Sequence, residues 1–295
     1  MGFEACHPAV NAIFFAAVLA AGLCFSHPVF LAIGFCAAFA YSCRRRGSRA
    51  LWQNLCLLPC AVVFALCYAG THHFGITVLR QNFIGNRLTV ESLVYGLALG
   101  LRLATAIMWL RCLHAVFTAD KVVYLLGRVS PGLSLFVSIL LRMVPRIGAQ
   151  ARRLHTARQG LGRGCGKNAT GSRLKNALRI FSMMITWTIG ALATASESMQ
   201  SRGSTLRGRR AFSIYRFDGR DRAFVIILFT CLTLTAMAAL LGTTRMICDP
   251  RIIVPPVTAA QLPLCMGYGL ACLLPLLLEL GTDLAFSHAA TRPKP

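Results

Sequence analysis

Acidic residues are scarce in this chain: 9 Asp and Glu in 295 positions, against 31 Lys and Arg. So few carboxylates leave little for paired acid–base catalysis, which weighs against a membrane-bound enzyme acting on lipid or isoprenoid phosphates. CxxC pairs are absent. Most of the 13 cysteines (Cys24, Cys36, Cys56, Cys60, Cys67, Cys112, Cys231, Cys265 and Cys272 among them) sit inside apolar runs, so they read as small packing residues rather than as a disulfide frame. The adjacent pair His72-His73 has no thiol or carboxylate at a ligand spacing nearby. Neither a metal site nor a cofactor is expected. The glycine-rich segment GLGRGCGKNATG from Gly160 stops short of a phosphate loop, because a GxxxxGK[ST] match ending at Gly166-Lys167 needs glycine at 161 and Ser or Thr at 168, where the chain has Leu161 and Asn168. ATP hydrolysis by this chain is therefore not expected, and the segment reads as a mobile basic connector between two helices. The N-terminus lacks a basic n-region, so no cleavable signal peptide is expected.

What the chain has in abundance is apolar sequence: 56% hydrophobic residues and a mean hydropathy of +0.62, where soluble domains run roughly 45 to 50% apolar. An all-α, polytopic integral membrane protein follows. Five or six stretches approach the roughly 20 residues needed to cross a bilayer: 9–25, 28–42, 51–70, 92–117, 223–242 and 262–284. The first two are short enough to form a tilted or hairpin-like pair. Arg44, Arg45, Arg46 and Arg49 mark the connection after the second stretch as cytoplasmic. The N-terminus, the basic region after the fourth stretch and the tail Arg292–Pro295 then lie on the same side, and the outer loops near 71–91 and 243–261 are poor in Lys and Arg.

The charge is concentrated. Between Thr118 and Arg222 there are 19 Lys and Arg against 4 Asp and Glu, so this stretch carries +15 of the net +22. Such a patch can meet anionic lipid headgroups, nucleic acid or an acidic protein surface, or express the positive-inside bias alone. A membrane-tethered nucleic-acid binder is weakened by the long apolar runs and by the lack of a recognisable binding motif; no nucleic acid is expected as a partner. Three regions result: 1–117 with N-terminal spans, 118–222 as a basic cytoplasmic helical region, and 223–295 with C-terminal spans. Two apolar runs inside the basic region, Leu133–Val144 (opened by Ser130-Pro131, an N-cap and first-turn pair) and Ile180–Ala195, are flanked by arginines. They read as cytoplasmic or interfacial helices that pack on other helices.

Each of those helices carries one arginine out of keeping with its face. With 100° per residue, Ala151, Leu154, Arg158 and Leu161 fall within about 40° of Ile147, while Arg146, Arg152 and Arg153 point away. On the second helix Met184, Thr188, Ala191, Ala195 and Ser198 lie within about 40° of Arg202, with Phe181, Trp187 and Met199 at the margins. Ala191 and Ala195 form a small-xxx-small spacing. Gly160 and Gly203 follow within two residues, and glycine commonly ends helices, so each arginine is expected at an exposed helix tip. Snorkelling to lipid is the plainer alternative for either one alone. A third arginine, Arg102, lies inside the fourth stretch behind the small pair Gly96 and Gly100 and should face protein. Backbone carbonyls or water are its expected partners, since Glu279 lies near the opposite end of the last stretch.

TARQG and QSRGS look like the two Ala-Arg-Gly-type motifs of the T component of energy-coupling-factor (ECF) transporters, the CbiQ/EcfT family. HPAVN at His7, HHFGITVLRQNFIGNRLTVESLVYGLALGLRL from His72 and LRMVPRIGAQARRLHTARQG from Leu141 resemble stretches of that family in the same order, so the similarity covers the chain to about residue 245. The resemblance implies a membrane scaffold that joins two cytoplasmic ABC-type ATPase subunits to a small substrate-binding S component. It also implies that Ala157, Arg158 and Gln159, and Ser201, Arg202 and Gly203, contact grooves on the ATPases. Gln159 stands where the first motif has glycine, and Ser201 where the second has alanine. A planar guanidinium, able to bind carboxylates or carbonyls bidentately from an apolar stem, suits such a pivot. The family has an arginine similar to Arg102, and vitamin or metal-ion uptake is its range, with recognition on the S component.

Overall fold

Two His-Pro pairs, twenty residues apart, start the first two helices. At each, proline occupies the first turn, where its missing N–H costs nothing, and the preceding histidine caps the helix. His7 Nδ1 accepts from the Ala9 N–H at 3.3 Å and His27 Nδ1 from the Val29 N–H at 3.2 Å. Both imidazoles are buried. The computed structural model describes residues 2–72, 74–81, 87–161, 170–204, 206, 215–248, 251–256 and 258–290. In chain order the helices are α1 (Pro8–Cys24), α2 (Pro28–Arg46), α3 (Ser48–Thr71), α4 (Val90–Val116), α5 (Ala119–Val129), α6 (Pro131–Gly160), α7 (Thr170–Ser201), α8 (Gly219–Leu240) and α9 (Leu262–Ala290). One short antiparallel hairpin, β1 (Val78–Gln81) with β2 (Arg87–Thr89), lies between α3 and α4, Val78 opposite Thr89.

The chain divides into two compact units, one formed by Met1–Thr118 with Tyr215–Pro295 and the other by Ala119–Ile214. The first is built on an aromatic core. Phe3, from the segment ahead of α1, is fully buried and meets Phe14 edge-on at 5.3 Å; Phe14 meets Trp109 of α4 at 5.8 Å, and Trp109 stacks on Tyr41 of α2 at 6.0 Å. At the C-terminal end of α2, the arginines that close the helix find the acids: Arg44 pairs with Asp283, and Arg45 pairs with Glu4 and with buried Glu279 at 3.6 Å.

Among the described residues, six helices are long and apolar enough to cross a membrane: α3, α4, α6, most of α7, α8 and most of α9. This set differs from the apolar stretches marked in the sequence. Here α1 has 17 residues and α2 ends in three arginines, whereas α6 and α7 reach 30 and 32 residues by joining an apolar run to a basic extension. The windows that qualify in α6 and α7 are also the least buried of the six.

Candidate coupling site

The unit Ala119–Ile214 is built from α5, α6 and α7. Ser130, extended at φ −151°, precedes Pro131 at the start of α6, and one turn on the Ser134 hydroxyl donates to the Val123 carbonyl at 2.9 Å, tying α6 to α5. Further along α6 the projected face holds as far as Arg158: Ile147, Ala151, Leu154 and Arg158 are half-buried and Arg146, Arg152 and Arg153 are exposed, whereas Leu161, projected onto the same face, is exposed past the helix end. Arg158 Nε is buried and has no hydrogen-bond partner among the described residues. Ala157 and Gln159 beside it are exposed. Gly160 does not terminate α6 in a left-handed turn as the sequence suggests. The cap is Leu161 at φ −81°, whose N–H donates to the Ala157 carbonyl at 3.2 Å.

The end of α7 is different. Gly203 adopts φ +75°, its N–H donates to the Gln200 carbonyl at 2.9 Å, and the Ser204 N–H donates to the Met199 carbonyl at 3.1 Å. These two bonds form a Schellman stop, which requires the left-handed conformation glycine supplies. Arg202 is thereby the last residue before the turn, and it is exposed, as is Ser201. The inward stripe of α7 runs through Met184, Thr188, Ala191 and Ala195 and then to Met199, so Arg202 leaves the stripe that Arg158 shares in α6. Each arginine nevertheless sits at the C-terminal, electronegative end of a long helix, a position that favours a cation by about 0.3–1 kcal/mol when exposed. Residues 162–169, the basic connector between the two helices, and 207–214, part of the second basic cluster, lie outside the described residues, as does the tail 291–295.

Arg102 and the two glycines belong to the other unit and to opposite faces of α4. Gly96 and Gly100 lie against α3: a Cβ on Gly100 would stand 2.7 Å from the Ala61 carbonyl oxygen, and one on Gly96 would stand 3.0 Å from that of Ala65. Arg102 turns the other way, and its Nη2–H donates to the hydroxyl of Ser26, between α1 and α2. That side-chain hydroxyl, rather than a backbone carbonyl, is its partner among the described residues. The sequence had no means of finding it 76 residues away, although the repeated His-Pro pair flags the segment that holds it. The N–H groups of Ser26 and His27 both donate to the Thr244 carbonyl at 2.9 Å. With His27 Nδ1 committed as a cap acceptor, Nε2 carries the proton and donates to the Pro255 carbonyl at 3.2 Å. Arg102 thus holds a short segment that is itself tied to the connection between α8 and α9.

A helical chain with six apolar helices of this length among its described residues is a multi-pass membrane protein. Compared with known proteins, it matches no protein-family model and no curated sequence.

Proposed function

We propose that the chain is the membrane scaffold and coupling subunit of an ECF-type ABC importer, transmitting ATP-driven motion from two cytoplasmic ATPase subunits to a substrate-binding S component. The observation that carries this reading is the pair α6 and α7: two long helices of one unit, each closing on an arginine that has no ion pair among the described residues. In the whole unit Ala119–Ile214 the acids are Asp120 and Glu197. On this reading the acceptors for Arg158 and Arg202 lie on the ATPase subunits, and two similar contacts suit two similar partners. Ala157, Gln159 and Ser201 are exposed beside them, as a docking edge requires.

On this reading the N-terminus, the unit Ala119–Ile214 and the C-terminus face the cytoplasm in a cell membrane. The helices α6 and α7 then lie at the membrane boundary despite their length, because a single crossing by either would carry an arginine-rich end to the outer side, against the charge rule. The transported solute, a vitamin or metal ion in the resembled family, is recognised by the S component. Purification of the tagged chain in mild detergent tests the proposal. Two ATP-binding subunits per chain are expected to follow it, and a chain recovered from its native membrane with no ATP-binding partner would contradict it.

A further inference from the structure

Between α6 and α7 lies a groove of about 870 Å³. Its walls are apolar, with Ile147 on one side and Phe181, Met184, Ile185 and Ile189 on the other. Phe181, Ile185 and Ile189 succeed one another at one-turn spacing and are 64%, 46% and 63% exposed, which leaves an open apolar strip roughly 12 Å long at ~1.5 Å per residue. The α6 side also carries Arg152, His155 and Thr156, spaced i, i+3 and i+4 and so on one side of the helix. Thr156 donates its hydroxyl to the Arg152 carbonyl at 3.0 Å, so the guanidinium and the imidazole are the groove's available donors. No acid is among the described residues that line the groove.

A ligand for this shape must satisfy both parts. A small anion leaves the apolar strip wet, an uncharged chain leaves Arg152 without a counter-ion, and a zwitterionic headgroup brings its own cation. Sites of several hundred Å3 that are mostly apolar with a few convergent polar groups are typical of small-ligand pockets, and basic pockets between helices at a membrane boundary hold acidic headgroups. The apolar part of α6, which the groove adjoins, is long enough to lie within a bilayer. We infer that this groove binds an anionic phospholipid, with an acyl chain along Phe181, Ile185 and Ile189 and the phosphate on Arg152 and His155. The inference does not rest on the ATPase-coupling reading, and its test needs no partner subunit.

The full-length chain, delipidated in detergent, is offered phosphatidylglycerol or phosphatidylcholine in mixed micelles, and retained lipid is counted by native mass spectrometry. Phosphatidylglycerol is retained at least tenfold better. Arg152→Gln lowers its affinity roughly fivefold, the effect of one basic side chain at a lipid phosphate, and adding His155→Gln lowers it further. Ala177→Trp, which fills the groove, removes the bound lipid. Arg146→Gln and Arg153→Gln, which delete the same charge outside the groove, stay within twofold of the parent. Equal losses at Arg146 or Arg153 would reduce the effect to diffuse charge and overturn the inference. So would equal retention of the two lipids, binding undisturbed by both Ala177→Trp and Arg152→Gln, or no retained lipid, the result expected if a helix of another protein covers the groove. Displacement by millimolar inorganic phosphate as effective as that by short-chain phosphatidylglycerol would show a headgroup site without a chain site, again against the inference. These positions are exposed on their helices, and circular dichroism verifies that each variant is folded; should Ala177→Trp fail, the Arg152 and Arg153 pair decides alone.

Discussion

Gly100 of α4 packs directly against the backbone of α3, and the consequence of adding one methyl group there can be worked out. A Cβ on Gly100 would stand 2.7 Å from the Ala61 oxygen and 3.2 Å from the Ala61 carbonyl carbon and Cα. Ordinary contact begins near 3.4 Å, so the helices must part by roughly 0.7 Å, and close-packed interfaces yield little. Overpacking costs about 1–3 kcal/mol, offset by the ~0.5–1 kcal/mol that alanine gains over glycine within a helix. Gly100→Ala should therefore lose about 1–2 kcal/mol, whereas Gly148→Ala in α6, where a Cβ meets nothing within 4 Å, should gain about 0.5–1 kcal/mol. The two alanines then differ by about 1.5–3 kcal/mol, a factor of roughly 10 to 150 in the unfolding equilibrium. Reversible denaturant unfolding in detergent, comparing the two variants with the parent, measures that difference. Because the obstructing atoms are Ala61 backbone, adding Ala61→Gly should not rescue Gly100→Ala. Equal shifts for the two glycines, or rescue by Ala61→Gly, would refute the close approach of α3 and α4.

Arg102→Leu should lower the thermal midpoint and expose residues 243–256 to protease, since a hydrogen bond to a charged group contributes about 1.5–3 kcal/mol. Ser26→Ala should cost a similar amount by leaving the guanidinium short of an acceptor, and a double-mutant cycle that finds the two effects fully additive would show that they do not interact. Cys248 is buried, and both that burial and the Glu91 carboxylate push its thiol above the ordinary range. The reactive thiolate is thus scarcer at any given pH, so alkylation at pH 8 should run several-fold slower than for free cysteine and recover in denaturant. Cys165, between α6 and α7, should react with a membrane-impermeant maleimide only after the cytoplasmic side is opened; labelling of intact cells would place that connector outside and contradict the orientation proposed above.

Much of the helical frame was legible in the sequence because bilayer-length apolar runs announce themselves. The stretch 51–70 became α3 at Ser48–Thr71, 92–117 became α4 at Val90–Val116, and Ser130-Pro131 does open α6. Apolarity alone ends helices too early where charge follows, however. The run from Ile180 belongs to a helix that starts at Thr170 and passes through several basic residues, and α2 continues through Arg44–Arg46. The stripe through Ile147, Ala151, Leu154 and Arg158 could be projected because a regular helix fixes angles, whereas Arg202 lies at the turn, where the projection no longer applies. Pairings across long separations were illegible: Arg102 with Ser26, Phe3 in the aromatic core, and the backbone of Ala61 against Gly100 depend on the packing of helices. Gly160 and Gly203 look alike in sequence, yet only Gly203 takes the left-handed turn, because only there does the chain close a Schellman stop.

Substitution of the two helix-end arginines tests the central claim most directly. Losing a buried interfacial arginine typically costs at least ~2 kcal/mol, about thirtyfold in affinity. Arg158→Ala and Arg202→Ala should each weaken co-purification of the ATPase subunits or uncouple hydrolysis from uptake, and the double variant should do more. Lysine reaches lipid headgroups but cannot form the bidentate fork, so it should not restore function at either position. Full ATPase association and full uptake in the Arg158→Ala, Arg202→Ala protein would contradict the account.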